Sequence, residues 1–243
     1  MSQHLDPNGA LGPLAVDLAA TALSLARRFA AGATLWCWAP GADQHARHVA
    51  VEFVHPVIVG KRALPAVAVT DAVGDAPATL RSLVRAGDVV LVIGTPAAGG
   101  VLARVLKRAP SWGATTIWIG AGDRPPTGAA DRVIWLDGDA SRAPHDGRLV
   151  LAYHLLWELT HVCFEHPGLL REELVAEGPV CTTCSDEGRL GEVVTTAATA
   201  TTATVRTAGG MEEVDTTVVG DVHAGDLVLI HAGSALTVVE ELE

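Results

Sequence analysis

Residues 88–95 read DVVLVIGT, a run of five apolar residues that follows an aspartate and ends in glycine and threonine. A short, continuous apolar run bounded by turn residues is typical of a strand that is buried on both faces of a sheet. Similar runs occur on either side of it in the first 140 residues. They are ATLWCWA (33–39), LPAVAVT (64–70), TTIWIG (115–120) and DRVIWLDG (131–138).

Segments with helical spacing of apolar residues separate these runs. They cover residues 14–32, where Gly32 can cap the end, and then 43–53, 79–85, 100–108 and 148–165. Alternation of buried strands with helices predicts βα units, and therefore a doubly wound parallel sheet with helices on both faces.

The last quarter of the chain has a different character. Residues 191–220 read GEVVTTAATATTATVRTAGGMEEVDTTVVG, which is rich in Thr and Val and has no helical period. The Gly-Gly pair separates two strand-like runs, so this part predicts a small antiparallel sheet or barrel. The short polar segment 166–179 predicts a linker helix with breakers at both ends. We therefore divide the chain into an α/β domain, 1–177, and an all-β domain, 178–243.

Composition excludes some classes of function. The formal net charge is −11, and the chain has no basic cluster beyond Arg27 and Arg28, so a nucleic-acid-binding surface is not expected. The N-terminus lacks the basic-then-apolar order of a secretory signal, and no uninterrupted apolar stretch has membrane-spanning length. We expect a cytoplasmic protein, without a membrane or nucleic-acid partner.

A pair of cysteines and a histidine near the second domain call for an explanation. Cys181 and Cys184 form a C-x-x-C motif, which in a reducing compartment indicates metal or redox chemistry. Residues 227–230 form an apolar run that leads directly into His231, although Gly233 already provides the turn residue. Thiolate and imidazole ligands together suit low-valent iron or zinc. The alternative for His231 is an ordinary residue at the end of a strand.

Residues 203–241, and above all GDLVLIHAGSA at 225–235, resemble the HypC/HupF hydrogenase maturation chaperones, which are small OB-like barrels. In that family a Cys and the His of the VLVH motif are implicated in holding the iron carbonyl-cyanide fragment delivered to the large subunit of nickel-iron hydrogenases. The resemblance implies Cys184, with Cys181 beside it, and His231 as iron ligands. It implies the hydrogenase large subunit and other maturation proteins as partners. Here the Cys is internal to the chain and no proline follows it, and Cys181 can compensate, so the choice between the two thiols stays open.

Two helical segments carry histidines and glutamates in stripes. His45, His48 and Glu52 are spaced i, i+3 and i+7, so they project from one helix face. The last helix carries a second stripe, formed by His154, Glu158, His161 and Glu165. Two such stripes facing each other predict a metal site at a domain or subunit interface, while the alternative is a solvated, charged face.

The first domain resembles the SIS domains of sedoheptulose-7-phosphate isomerases over residues 14–165. The similarity rests on GADQHARHVAVEFV (41–54), LPAVAVTDA, AGDVVLVIGT and GATTIWIGAGD. Those enzymes hold zinc with a His, a Glu four residues later, and a Gln and a His on the final helix. The resemblance implies His48, Glu52 and His161 as zinc ligands. Tyr153 stands at the position of the Gln, and the neighbouring His154 can replace it. The resemblance also implies a homo-oligomer, a dimer or a tetramer.

The phosphate-binding motifs of these isomerases are largely missing. Hydroxyls and backbone amides in motifs such as GNGGS and STSGNS bind the sugar phosphate, whereas the corresponding stretches here are WAPGA (38–42) and GTPAAGG (94–100). Ala42 replaces one serine, Thr95 is the hydroxyl that remains, and Pro96 removes a backbone donor. Isomerase activity is therefore not favoured.

Three functions follow from these observations. The first is an accessory protein of nickel-iron hydrogenase maturation that carries iron on its barrel and uses a degenerate SIS domain for oligomerisation or docking. The second is a zinc-dependent sugar-phosphate isomerase with Glu52 as general base and His161 as acid. The third is a non-catalytic SIS adaptor that binds a protein partner.

Overall fold

The computed structural model describes residues 12–96, 100–136, 147–170, 188–196 and 201–239. The helices of the first domain are α1 (Ala15–Ala30), α2 (Asp43–Val54), α3 (Ala76–Leu83), α4 (Gly100–Arg108) and α5 (Gly147–Glu165). Its strands are β1 (Leu35–Trp38), β2 (Ala66–Val69), β3 (Val89–Ile93), β4 (Thr115–Ala121) and β5 (Arg132–Leu136). The second domain contains β6 (Arg189–Thr196), β7 (Thr202–Thr207), β8 (Gly210–Asp215), β9 (Leu227–His231) and β10 (Ser234–Val238).

The first domain is built on a parallel sheet of five strands in the order β2-β1-β3-β4-β5. The central strand β3 pairs in parallel with β1 and β4, and all five of its residues are buried. The parallel α/β fold predicted from the apolar runs is thereby confirmed.

Alternate residues of β3 enter two separate cores. Val89, Leu91 and Ile93 pack in a core with residues of α1, α2 and α5. Val90 and Val92 pack on the other face with residues of α3 and α4, in a core that also contains four buried tryptophans, Trp38, Trp112, Trp118 and Trp135. The helices therefore divide between the two faces of the sheet, with α2 and α5 on one face and α3 and α4 on the other.

Helix α3 begins earlier than its apolar spacing predicts. The spacing predicts a helix over residues 79–85, whereas the helix covers Ala76–Leu83. The Asp75 carboxylate accepts a hydrogen bond of 3.0 Å from the backbone N–H of Ala78, and Pro77 stands in the first turn. A capping aspartate followed by proline favours the start of a helix at this point, and it determines where α3 begins.

The second domain is a closed barrel of five strands in the order β10-β8-β7-β6-β9. Four of its seams are antiparallel, and the barrel closes through a short parallel contact between Ser234 of β10 and Asp215 of β8. Its core consists of small and β-branched residues, among them Val193, Val205, Val228 and Ile230. The predicted barrel is confirmed, including the turn between β7 and β8 at the Gly-Gly pair.

The barrel docks against α3 and α4 through a buried carboxylate. Glu192 of β6 is 2% exposed and accepts hydrogen bonds from Arg81 Nε of α3, at 2.9 Å, and from an Arg108 guanidinium nitrogen of α4, at 3.1 Å. The same nitrogen of Arg108 also donates to the Gly225 carbonyl at 2.7 Å. The barrel thus sits on the side of the sheet domain that carries α3 and α4, away from α2 and α5.

Within the described part of the chain, no helix combines the length and the apolar character needed to cross a membrane.

Candidate metal site and barrel histidine

A cluster of two histidines and a glutamate forms where α2 meets α5. His48 Nε2 lies 3.3 Å from Glu52 Oε1, which is one turn further along α2. His154 Nε2 of α5 lies 3.1 Å from His48 Nε2 and 3.6 Å from Glu52 Oε1. The structure thus brings three of the predicted zinc ligands together in a single triangle.

The dimensions of this triangle fit a metal ion. Ligand atoms of a tetrahedral zinc site lie roughly 3.3–3.5 Å apart, because the bonds are about 2.0–2.1 Å long. The three distances in the cluster, 3.1, 3.3 and 3.6 Å, span that range. The side chains of His48 and His154 are 38% and 41% exposed, so the cluster is open to solvent on one side. Two imidazoles and one carboxylate are ligands that zinc and similar divalent ions take.

Tyr153 lies behind the cluster, although it stands at the sequence position implied for a glutamine ligand. Its hydroxyl oxygen is 2.9 Å from His48 Nδ1, the ring nitrogen that faces away from the triangle, and 3.5 Å from His45 Nδ1. Burial, together with the nearby Glu52 carboxylate, raises the pKa of the Tyr153 phenol to about 12. The phenol therefore remains neutral at physiological pH.

His161 lies outside the cluster, two helical turns beyond His154. Seven residues of α-helix span about 10.5 Å along the axis. The buried His161 ring packs against Trp157 and Phe53, and its Nδ1 and Nε2 lie 2.9 and 3.0 Å from the carbonyl oxygens of Trp157 and Arg62. Both ring nitrogens therefore face hydrogen-bond acceptors of the protein itself.

The two glutamates of the α5 stripe also stand apart from the cluster. Glu158 is exposed. Glu165 pairs with Lys61, and the hydrogen bond and charge of that lysine hold the pKa of the Glu165 carboxyl below its usual value.

Two carboxylates border the loop that, by sequence resemblance, corresponds to a phosphate-binding motif of SIS isomerases. This loop follows β1 and ends at Ala42, just before α2. The Gly41 N–H donates to Asp71 Oδ2 at 2.9 Å, and the Asp71 N–H donates to Asp43 Oδ1 at 3.0 Å. A phosphate placed here would meet two negative charges and would have to displace the Gly41 hydrogen bond. The role of Asp71 was not predicted, because it depends on β1 and β2 being neighbours in the sheet. Thr95, the candidate phosphate contact, is half-buried at the end of β3.

In the barrel, His231 is the exposed last residue of β9. It faces Ser234 across a tight hairpin, in which Ala232 and Gly233 have φ angles of 49° and 78°. Positive φ at both central positions is the geometry of a type I′ turn, which suits the twist of a two-stranded hairpin. The hairpin presents the imidazole at the rim of the barrel, where a ligand can reach it.

The two cysteines of the predicted iron site, Cys181 and Cys184, lie outside the described residues. The other cysteines of the chain, Cys37 and Cys163, are free and buried. Burial raises the pKa of both thiols, and the charge of Arg27 opposes this shift at Cys163. Neither core thiol has the exposed, electropositive surroundings of a reactive cysteine.

Comparison with known proteins supports this description of the two domains. Residues 189–243 match the model of the HupF/HypC family. That segment coincides with the barrel from its first strand and includes His231. No curated protein sequence matches the chain at a significant level.

The first domain has the fold of phosphoheptose isomerases. A phosphoheptose isomerase from Francisella tularensis superposes with a TM-score of 0.54 and 16% identity, over 63% of this chain and 89% of its own. The phosphoheptose isomerase of Neisseria gonorrhoeae gives a TM-score of 0.50 and 20% identity, over 65% of this chain and 89% of its own. At this level of identity the similarity establishes the fold, so both predicted resemblances are confirmed.

Proposed function

We propose that this chain is a cytoplasmic accessory protein of nickel-iron hydrogenase maturation, whose barrel holds an iron fragment and passes it to the hydrogenase large subunit. The observation that carries the proposal is the coincidence of the HupF/HypC match, residues 189–243, with a complete closed barrel. The family links this barrel to hydrogenase maturation, and the fold supplies the rigid frame on which a ligand residue can be placed.

His231 is the described residue proposed to contact the iron cargo. It is exposed at the end of β9, and the tight turn at Ala232 and Gly233 fixes the direction of the hairpin around it. The proposed thiolate partner is Cys184 or Cys181, because soft sulfur ligands suit low-valent iron. The proposed partners are the hydrogenase large subunit and the other maturation proteins.

The test is iron loading and complex formation under anaerobic conditions. The purified protein should bind iron and form a complex with a hydrogenase large subunit or with its partner maturation proteins. His231→Ala should abolish iron binding by the barrel, measured in a His154→Ala background so that the cluster on α2 and α5 does not contribute. His223→Ala is the matched control, because His223 is another exposed barrel histidine, on a loop outside the turn. Cys184→Ala and Cys181→Ala, tested one at a time, identify the thiol.

Two results would contradict the proposal. Equal iron binding by wild type and His231→Ala would show that His231 is not an iron ligand. If the correctly folded protein forms no complex with hydrogenase maturation proteins, the proposed role in hydrogenase maturation is wrong. A complex that persists in all these variants without iron would favour the adaptor role.

A second candidate function, a zinc-dependent sugar-phosphate isomerase, has one specific observation in its favour. His48, Glu52 and His154 form a triangle that would hold zinc, and bound zinc would supply a Lewis acid for polarising a sugar carbonyl. Against it stand the carboxylates of Asp71 and Asp43 at the phosphate loop. The proposed acid, His161, is in addition buried between two carbonyl groups.

The isomerase candidate is tested separately from the iron proposal. Turnover of sedoheptulose 7-phosphate should then depend on added zinc and disappear in Glu52→Gln. We expect zinc binding without turnover, because the phosphate loop repels the substrate. Zinc-dependent turnover that Glu52→Gln removes would overturn that expectation.

A further inference from the structure

Tyr153 is a buried residue that packs against the two histidines of the metal cluster. The phenol is 1% exposed and belongs to the core between the sheet and the helices α1, α2 and α5. Its ring makes edge-on contacts with the rings of His48 and His154, with centroid distances of 5.2 and 5.4 Å. The side chain is therefore packed against both imidazoles of the metal cluster, on the protein side.

The direction of each hydrogen bond follows from the chemistry of a histidine ligand. If His48 binds a metal through Nε2, its ring proton must be on Nδ1, and that N–H needs an acceptor. The Tyr153 hydroxyl oxygen, 2.9 Å away, is placed to accept it. The hydroxyl proton then points away from His48, and His45 Nδ1 lies 3.5 Å from the same oxygen.

Without such an acceptor the Nδ1–H of His48 would be buried without a partner, which shifts the balance towards the tautomer with the proton on Nε2. With the proton on Nε2, His48 would donate towards the Glu52 carboxylate, which lies 3.3 Å away, and its lone pair would point into the protein. That tautomer cannot bind a metal at the triangle. Holding the ligand-competent tautomer is a contribution that outer partners of metal-bound histidines commonly make.

We propose that Tyr153 is the positioning residue of a three-ligand divalent metal site, where it accepts a hydrogen bond from His48 Nδ1 and so directs the Nε2 lone pair at the ion held with Glu52 and His154. This inference rests on metal binding by the cluster and is independent of the iron proposal for the barrel. It assigns the tyrosine a place behind a ligand, where the sequence resemblance implied a glutamine in direct contact with the metal.

The first test is the affinity of the whole protein for zinc and cobalt. Tyr153→Phe keeps the ring and removes the acceptor, and it should weaken binding by about 10- to 100-fold, the usual effect of losing an outer partner. Thr160→Val is the matched control. It removes another buried hydroxyl of α5, which donates to the Leu156 carbonyl, and should leave the affinity unchanged.

The second test reads the tautomer of His48 directly, from the nitrogen chemical shifts of its ring in the metal-loaded and metal-free protein. In metal-loaded wild type the proton should be on Nδ1, because Nε2 binds the ion. In metal-free Tyr153→Phe the fraction of the Nε2-protonated form should rise above its value in metal-free wild type. A structural role of Tyr153 alone would change stability but would leave this preference intact.

Failure of the metal site and failure of the positioning role of Tyr153 give different results. If wild type binds zinc, His154→Ala abolishes it, and Tyr153→Phe binds as wild type with an unchanged His48 tautomer, the positioning role is overturned while the metal site stands. If wild type does not bind zinc or cobalt at the cluster, both the site and the positioning role fall. Neither result affects the iron test, which is carried out on His231.

Discussion

Ala232 is the one non-glycine residue in the described part of the chain with a positive φ, at 49°. A side chain in this left-handed region costs roughly 1–2 kcal/mol, because Cβ crowds the following carbonyl oxygen. The residue lies in the turn directly after His231, so the cost falls beside the proposed ligand. Strain retained next to a functional residue is common, since it fixes geometry at the expense of stability.

Replacing Ala232 by glycine should therefore stabilise the protein. The gain should be about 0.5–1 kcal/mol, because the relief of strain exceeds the extra freedom that glycine gives the unfolded chain. Urea denaturation measures the free energy of unfolding. Gly233→Ala, at φ 78° in the same turn, is the opposite control and should destabilise. A loss of stability in Ala232→Gly would contradict the assigned turn geometry.

The two core thiols should be unreactive in the native protein. Because burial raises the pKa of Cys37 and Cys163, little thiolate forms near neutral pH, and reagents do not reach it. A variant with Cys181→Ser and Cys184→Ser should react with a disulfide reagent at pH 8 at least about 100-fold more slowly than after unfolding in denaturant. Fast labelling of the native double variant would show that a core thiol is accessible.

At the candidate site, the sequence could predict which residues lie on one helix face, but not which of them could bind the same metal ion. The spacing of His154 and His161 places both on one stripe of α5, yet they lie about 10.5 Å apart along the axis. The choice of His48, Glu52 and His154 depends on where α5 crosses α2, which no local pattern contains. The position of Tyr153 behind His48 also depends on where these two helices cross.

Among the elements, β4 contains a glycine, Gly120, at a position where the neighbouring strands leave no room for a side chain. A Cβ at Gly120 would collide with the Gly94 carbonyl oxygen and with the Trp135 ring, and both belong to adjacent strands or their ends. The backbone oxygen cannot move without disturbing the sheet. Gly191 of β6 is less restricted, because its closest neighbour is the terminal methyl group of Ile230.

The two glycines should therefore respond differently to alanine. Gly120→Ala should lower the free energy of unfolding by about 3 kcal/mol, whereas Gly191→Ala should cost about 1 kcal/mol, since a flexible methyl group can rotate away. Chemical denaturation of the two variants provides the comparison. Equal effects would mean that the sheet of the first domain can adjust as easily as the barrel.

The strands of the sheet were predictable because each is an apolar run buried on both faces. Residues 88–95 contain β3, and the helix at residues 100–108 has the predicted bounds. The start of α3 was not predicted from apolar spacing, because a cap at Asp75 determines it. The parallel seam between β10 and β8 joins residues far apart in the chain, and local alternation does not encode such a pairing.

For the molecule as a whole, Glu192 joins the two domains. Its carboxylate is buried, while its partners Arg81 and Arg108 have side chains that are 41% and 21% exposed. Removing one member of a buried ion pair leaves the remaining charges without compensation, and here water can reach part of the arginines. The pair therefore matters more for fixing the barrel than an exposed pair would.

Glu192→Ala should cost about 2–3 kcal/mol of stability, less than a fully buried pair because the arginines are partly solvated. It should also increase proteolytic cleavage between the domains. Glu212→Ala is the matched control, because the Glu212 carboxylate is 32% exposed and pairs with Arg189 of the same barrel, so it should contribute below about 1 kcal/mol and take no part in docking. Similar losses in both variants would contradict a role of Glu192 in docking.

The homo-oligomer, a dimer or tetramer, stays a prediction. Sedimentation can measure the oligomeric state.

Because α2 and α5 lie on one face of the sheet and the barrel docks at the other, the histidine cluster and the barrel are on opposite sides of the sheet. Ligands at well-separated sites contribute independently to stability. Zinc bound at the histidine cluster and iron bound at the barrel should then raise the melting temperature by amounts that add.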